Sequence, residues 1–171
     1  MLGFKQRLPA AYKPKLGRTE RVLAWAMTSP GTAVVATNFN LWIAGIATGW
    51  NHLSKVTWDG STLSVTPSTV VEERDGYTVI ADQEPVRLAL ADPGNLPHEV
   101  RQRVMASVRH PAHHDLGRGG LWLAGRRVPG VDGLSWIVRY DEGTDGTSPE
   151  VIAVTDELIG ETRSKVVASD G

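Results

Sequence analysis

The feature that most constrains the fold is a series of short strand-like runs in residues 18–91, each closed by turn residues. Apolar and polar side chains alternate along several of these runs, which is typical of strands that bury one face. Between two of them, Asp59-Gly60 predicts a tight hairpin turn. Because the connections are short, we expect the strands to pair mostly antiparallel. The predicted strands are residues 21–27, 32–37, 40–45, 49–58, 63–66, 77–82 and 86–91.

The pattern changes to helical spacing after residue 95. Val100, Val104 and Val108 lie four residues apart, which predicts an amphipathic helix over residues 96–109. His110-Pro111 ends this helix, because a residue that precedes proline avoids the helical conformation.

The last third of the chain predicts a β-hairpin and a second helix. Residues 121–126 and 134–140 alternate as two strands around a short loop. Ser148-Pro149-Glu150 then combines a capping hydroxyl, a proline suited to the first helical position and an acid near the helix N-terminus. The whole pattern predicts an α+β fold that is mainly antiparallel β, with about seven strands and a helix followed by a β-hairpin and a C-terminal helix.

Composition excludes several classes of protein. The chain has 171 residues, of which 41% are hydrophobic and 22% charged, and these are ordinary values for a globular domain. It has no cysteine, which excludes disulfides, thiolate metal sites and a cysteine nucleophile. Its longest apolar run, residues 41–50, is broken by glycine and is shorter than the roughly 20 residues of a membrane span. Residues 1–7 contain no apolar leader, so we expect a soluble cytoplasmic protein.

Charge is segregated along the chain, although the net charge is only −1. Residues 1–21 and 96–127 are basic, whereas residues 22–95 and 141–171 are acidic. Two interpretations remain open: a dipolar surface that steers a charged partner, or basic and acidic segments that pair with each other. The sequence pI near 6.5 argues against a nucleic-acid partner, since such domains usually have a pI above about 9.

The strand region also contains a recognisable series of motifs. They are Arg18-Thr19-Glu20-Arg21-Val22-Leu23-Ala24, Val34-Val35-Ala36-Thr37-Asn38, Leu41-Trp42-Ile43, Trp50-Asn51-His52-Leu53-Ser54-Lys55-Val56 and Trp58-Asp59-Gly60-Ser61-Thr62-Leu63-Ser64-Val65. Over about residues 17–91, the chain resembles bacterial pleckstrin-homology-like (GRAM-type) domains, and it is similar to small actinobacterial proteins with the same opening. The resemblance implies a bent antiparallel barrel of about seven strands that is plugged by a helix.

The strand pattern and the resemblance together predict a domain organisation, in which the last hairpin and helix depart from the family's pattern, and the resemblance implies a type of function. The predicted parts are an N-terminal arm (1–17), a pleckstrin-homology-like barrel with its capping helix (18–110), and a hairpin and C-terminal helix packed on the same domain (111–171). Members of this family bind lipid headgroups, peptides or other proteins. Headgroup-binding members use a basic loop between the first two strands, but residues 28–32 contain no Lys or Arg. Headgroup binding is therefore unsupported at the place where the family performs it.

The densest group of potential metal ligands is His110, His113, His114 and Asp115. Imidazole and carboxylate groups are good zinc ligands. Their spacing matches no known ligand pattern, and Pro111 disfavours a helix that would direct two histidines at one ion. We therefore expect a polar, solvated loop and assign no metal, no cofactor and no catalytic residue. A metal-dependent enzyme that uses this loop is the weakest alternative.

The leading hypothesis is a non-enzymatic interaction module that binds a protein partner. It rests on the strand pattern, the segregated charge and the lack of a Gly-x-Ser-x-Gly, His-Glu-x-x-His or P-loop motif. The alternative is a barrel that senses or carries a small molecule or lipid, and self-association through an open strand edge is a further one. Tryptophan and arginine are the commonest anchors of protein interfaces. The predicted partner contacts are Arg101, Arg103, Arg109, Arg126, Arg127, Trp42 and Trp122.

Overall fold

The structure, a computed structural model, describes residues 7–169. Within them the chain forms eleven strands and two α-helices and divides into two compact units. The first unit contains residues 7–68, 82–107 and 128–131, and the second contains residues 69–81, 108–127 and 132–169. The elements are β1 (Val22–Met27), β2 (Ala33–Thr37), β3 (Asn40–Ile43), β4 (Ile46–Gly49), β5 (Leu53–Trp58), β6 (Thr62–Arg74), β7 (Tyr77–Asp82), β8 (Val86–Ala89), α1 (Leu96–Ser107), β9 (Val108–Asp115), β10 (Gly120–Arg126), β11 (Ser135–Tyr140) and α2 (Pro149–Ser169).

The first unit is built from consecutive antiparallel strands and α1. β1 to β4 form one sheet in chain order, and β5 and β8 both pair with the first half of β6. The alternation along β6 buries Leu63 and Val65, which join Trp50 in the core. α1 contributes Leu96 and Val100 to the same core, so its apolar stripe faces the strands as the sequence predicts.

The structure confirms the predicted turn at Asp59-Gly60. The backbone N–H groups of Ser61 and Thr62 donate to Asp59 Oδ1 at 2.8 and 2.7 Å. Gly60 has a φ of 99°, a conformation that glycine adopts without steric cost. This local chemistry sets the register of the β5–β6 hairpin, in which Trp58 lies opposite Leu63.

The second unit contains a sheet that runs from the end of β6 through β7, β11 and β10 to β9. β10 pairs antiparallel with β11, as predicted, and also with β9. β11 runs parallel to β7, with Val138 opposite Val79. Leu121 and Leu123 of β10 and Ile159 of α2 are buried in one cluster with these strands, so α2 covers one face of the sheet.

The predicted strand over residues 49–58 is confirmed for residues 53–58, but its first four residues are not part of it. Gly49 is the last residue of β4, Trp50–His52 forms a short 3₁₀ turn, and β5 begins at Leu53. The side chains of β4 are exposed or half-buried, with Ile46 among the most exposed apolar residues. β4 therefore has no buried face, which is why the alternation of apolar residues does not reveal it.

The first helix ends at Ser107, two residues before the predicted end, and residues 108–115 form β9 rather than a helix terminus and a solvated loop. The Ser107 hydroxyl donates to the carbonyl of Val104 and so competes with the helical pattern at this end. His110, before Pro111, has a φ of 52°, and the β9–β10 register shifts at this point. Val108, which continues the helical spacing in the sequence, instead pairs with β10.

The α+β class and the predominance of antiparallel pairing are confirmed. α2 begins at Pro149, as the sequence predicts. The pleckstrin-homology-like arrangement of residues 17–91 stays a prediction. Within residues 7–169, neither α1 nor α2 has an apolar stretch long enough to cross a bilayer.

Candidate protein-interaction surface

The seven predicted contact residues are divided between the two units. Trp42, Arg101 and Arg103 belong to the first unit. The second unit contains the other four, which are Arg109, Arg126, Arg127 and Trp122. Each group is therefore considered within its own unit.

Trp42 lies half-buried on β3, where its indole N–H donates to Glu20 Oε2 at 3.0 Å. The Glu20 carboxylate also accepts hydrogen bonds from the side chains of Thr37 and Asn40 and from the backbone N–H of Gly17. Burial raises the pKa of Glu20, but these four hydrogen bonds outweigh it and hold the pKa below its ordinary value. The indole N–H of Trp42 is thus already hydrogen-bonded within the first unit.

The arginines of α1 differ in their surroundings. Arg103 Nε lies 3.3 Å from Glu99 Oε1, one helical turn away, in an ordinary surface ion pair. Arg101 is exposed on the same helix. The charge of Arg103 is therefore partly neutralised by its own helix.

The arginines of the second unit include one that is deeply buried. Arg126, the last residue of β10, is only 3% exposed, and burial lowers its pKa to about 10. Arg127, the next residue, is exposed, as is Arg109 on β9. A partner that docks on this unit can reach Arg109 and Arg127 but cannot reach Arg126 without rearrangement.

Trp122, the single aromatic residue of β10, is 43% exposed. In the sheet register it lies directly opposite His113 of β9 and Arg139 of β11, so the three side chains share one face. The rings of His113 and Trp122 are 5.1 Å apart and tilted by 57°. The strand alternation that buries Leu121 and Leu123 is what turns Trp122 away from the core.

His113 is fixed in place by Asp141, which follows β11. Its Nε2 lies 2.6 Å from Asp141 Oδ2. The backbone N–H of Asp141 donates to the carbonyl of Gly120, and a Cβ at Gly120 would lie 2.7 Å from Asp141 Oδ2. Glycine at position 120 is thus needed for this close approach. We call His113, Trp122, Arg139 and Asp141 together the Trp122 surface.

The four potential metal ligands near His110 do not converge. His113 shares a face with Trp122, whereas His114 pairs with Leu121 and points to the opposite face of the strand. Residues 7–169 contain no group of three or more histidine or carboxylate side chains arranged to hold a metal ion.

A second polar cluster in this unit is centred on Arg74, whose side chain is 8% exposed. Its Nη1 donates to the hydroxyls of Tyr77 and Tyr140, its Nη2 donates to the carbonyl of Gly146, and its Nε donates to Glu72. Nη2 also lies 3.0 Å from Glu72 Oε2. A guanidinium has five N–H donors, so this set of contacts uses its full capacity. Arg74 therefore holds the unit together and offers no donor to an anionic ligand.

Sequence reasoning identified Trp122 but missed Arg139 and Asp141. Trp122 could be identified because it lies opposite the aliphatic face of its own strand. The other two are brought to it by the register of β10 on β11, which no local spacing reveals.

Comparison of the chain with protein-family models, with curated proteins and with solved structures finds no match. No activity is therefore transferred to this chain from a relative. The functional argument rests on the geometry of the surface itself.

Proposed function

We propose that this protein is a non-enzymatic interaction module that binds an acidic segment of a protein partner through the Trp122 surface. The observation that carries the proposal is the exposed indole of Trp122, held between His113 and Arg139 on one face of a sheet. Amphipathic aromatic side chains on rigid strands are typical anchors of protein interfaces, because they bury a large area at a small cost in conformational entropy.

The exposed charge of residues 108–127 favours an acidic partner. Between residues 108 and 127, three arginines are exposed against one exposed acid, Asp115. Asp141, which belongs to the surface, is paired with His113, and the exposed acids Glu142 and Asp145 follow it in the chain. These exposed arginines are Arg109, Arg118 and Arg127. A partner segment that carries Asp or Glu beside an apolar residue would complement both the positive charge and the indole.

The rest of the predicted contacts have a smaller part in the proposal. Arg126 is excluded from the surface because it is buried. Trp42 and the α1 arginines lie in the first unit, and the proposal does not require them. The sensor or carrier hypothesis is not needed to explain the Trp122 surface, because that surface is a sheet face and not a cavity.

The test combines capture and titration. Tagged wild-type protein and the variants Trp122→Ala and Arg139→Glu are used to capture proteins from the native cells, and the recovered partner is then titrated in purified form by calorimetry. Met105→Ala is the matched control, because Met105 is 63% exposed in the first unit. We expect the wild type and the control to bind equally and each test variant to bind at least about tenfold more weakly, as for an interface hot spot.

Two further readouts complete this experiment. Affinity should fall as salt is raised, since the proposed partner is acidic. Thermal unfolding should show that Trp122→Ala remains folded, since the residue lies on the surface. Recovery of no specific protein, or a partner that Trp122→Ala binds as tightly as the wild type does, would overturn the proposal.

A further inference from the structure

A cleft of about 590 Å³ lies in the first unit between the N-terminal residues 7–13 and β1. Together with two alanines, it is lined by Arg7, Leu8, Lys13, Val22, Leu23 and Trp25. Its volume is in the range of pockets that hold small organic ligands, about 300–1,000 Å³. The cleft is independent of the Trp122 surface, which belongs to the second unit.

The walls of this cleft separate into apolar and cationic parts. Leu8, Val22, Leu23 and Trp25 provide apolar surface, and none of the four is fully exposed. Among residues 7–169, Arg7 and Lys13 are the charged side chains in the lining, and both are exposed to solvent. An apolar ligand with a negative charge at one end would match both parts.

The charged residues near the cleft also favour a negatively charged ligand. Residues 7–21 contain five basic residues and a single acid, Glu20. The Glu20 carboxylate accepts hydrogen bonds from the side chains of Thr37, Asn40 and Trp42 and from the backbone N–H of Gly17. Glu20 is not among the residues that line the cleft.

The N-terminal segment is ordered locally at this place. Ala10–Tyr12 forms a 3₁₀ turn, in which the backbone N–H of Tyr12 donates to Pro9 and that of Lys13 donates to Ala10. Pro9 restricts the chain before the turn. Ala10 at the start of this turn and Lys13 just after it both line the cleft.

From these observations we propose that the cleft binds a long-chain carboxylate. The chain would pack against Leu8, Leu23 and Trp25, and the carboxylate would pair with Arg7 and Lys13. Guanidinium and ammonium groups both form charge-assisted hydrogen bonds with carboxylates. Each CH₂ group that is buried should raise affinity by about fourfold, so affinity should rise with chain length.

The experiment uses the full-length protein and three ligands with the same chain, each below its micelle concentration. Laurate is the probe, and dodecanol and dodecylammonium are its neutral and cationic counterparts. Calorimetric titration should show one laurate bound per chain, with the other two ligands at least tenfold weaker. Decanoate should bind more weakly than laurate does.

Charge-reversal variants locate the site. The double variant Arg7→Glu with Lys13→Glu should weaken laurate binding at least tenfold. The double variant Lys15→Glu with Arg18→Glu changes the net charge equally, but these residues do not line the cleft. It should bind laurate as the wild type does, as should Trp122→Ala.

Several results would overturn the proposal. One is the absence of saturable laurate binding by the wild type. Another is equal binding of laurate and dodecylammonium, which would show that charge plays no part. A third is an equal loss of affinity in both double variants, which would indicate a diffuse attraction to the basic segment and not a site. Failure of the Trp122 experiment has no bearing on any of these outcomes.

Discussion

At the scale of single residues, Glu20 has the most hydrogen bonds of any carboxylate in the described part of the chain. Its two oxygens accept from Gly17, Thr37, Asn40 and Trp42. Three of these donors lie on or between β2 and β3, so the carboxylate attaches the preceding segment to that hairpin. The indole N–H of Trp42, its single donor, is engaged here and not at a partner.

We expect Glu20→Gln to lower the free energy of unfolding by about 1–3 kcal/mol, because hydrogen bonds to a charged acceptor are stronger than those to an amide. Urea-induced unfolding at neutral pH measures the change. Glu84→Gln is the control, since Glu84 is exposed in the same unit. Equal losses of stability in the two variants would contradict this role of Glu20.

The same variant reports the pH dependence of this site. Burial raises the pKa of Glu20, but its hydrogen bonds lower it further, so the net pKa lies below 4.5. Its stabilisation is therefore complete above the unfolded-state pKa and is lost as the pH falls through the folded-state pKa. The difference between wild type and Glu20→Gln should shrink as the pH falls below about 4.5. A difference that stays constant throughout acid titration would be the opposite result.

Residue-level predictions from the sequence succeed where the partners are close in the chain. Asp59 was identified as a turn residue because its donors, Ser61 and Thr62, are two and three positions away. Trp122 was identified from the alternation of its own strand. The partners of Glu20 and of Trp122 lie on other strands, and only the pairing of those strands brings them together.

At the scale of secondary-structure elements, Arg74 connects the end of β6 to three other parts of the second unit. It contacts Tyr77 of β7, Tyr140 of β11 and the carbonyl of Gly146 before α2. Tyr77 in turn donates to Asp156 of α2 at 2.6 Å. Burial and this hydrogen bond raise the pKa of Tyr77 to about 12, so its hydroxyl stays protonated and keeps donating.

We expect Arg74→Lys to destabilise the protein by about 2–4 kcal/mol, since lysine keeps the charge but cannot reach all of these acceptors from one nitrogen. Urea unfolding gives the size of the loss, and amide hydrogen exchange in α2 shows its location. Arg87→Lys, at an exposed arginine of β8, is the control and should change stability by less than about 0.5 kcal/mol. An Arg74→Lys variant as stable as this control would refute the linking role.

Elements were predicted from the sequence when they bury one face, and missed or misplaced when they do not. β2 and β7 have buried residues and were found near their observed bounds, and the start of α2, which also buries residues, was found at Pro149. β4 and β9 are mostly exposed and carry no clear apolar period. β9 exists because it hydrogen-bonds to β10, which is a long-range cause that periodicity does not report.

At the scale of the whole molecule, each unit is assembled from separate stretches of chain. The second unit needs residues 69–81 in addition to the C-terminal stretches. Tyr77 and Val79 from that early stretch are buried in its core with Leu121 and Ile159. The sequence gives no sign of this assembly, because no linker or change of composition marks its boundaries.

We expect a fragment of residues 108–169 to remain largely unfolded, because it lacks the strand that pairs with β11 and part of the core. Circular dichroism in the near ultraviolet tests this through Trp136, which is buried in the intact unit. Addition of a synthetic peptide of residues 69–82 should restore the signal, whereas a peptide of the same residues in scrambled order should not. Cooperative unfolding of the fragment by itself would contradict the expectation.

The divided second unit also affects how the protein is made. During translation β7 leaves the ribosome before β11 and α2 have been synthesised. Tyr77 and Val79 therefore remain exposed until the residues of β10, β11 and α2 that bury them are made. The β5–β6 hairpin, by contrast, closes as soon as its own residues have emerged. A nascent chain stalled between β8 and β11 would thus expose an apolar strand that lacks its core partners. Codon usage and chaperone access over that interval then become part of what determines the yield of native protein.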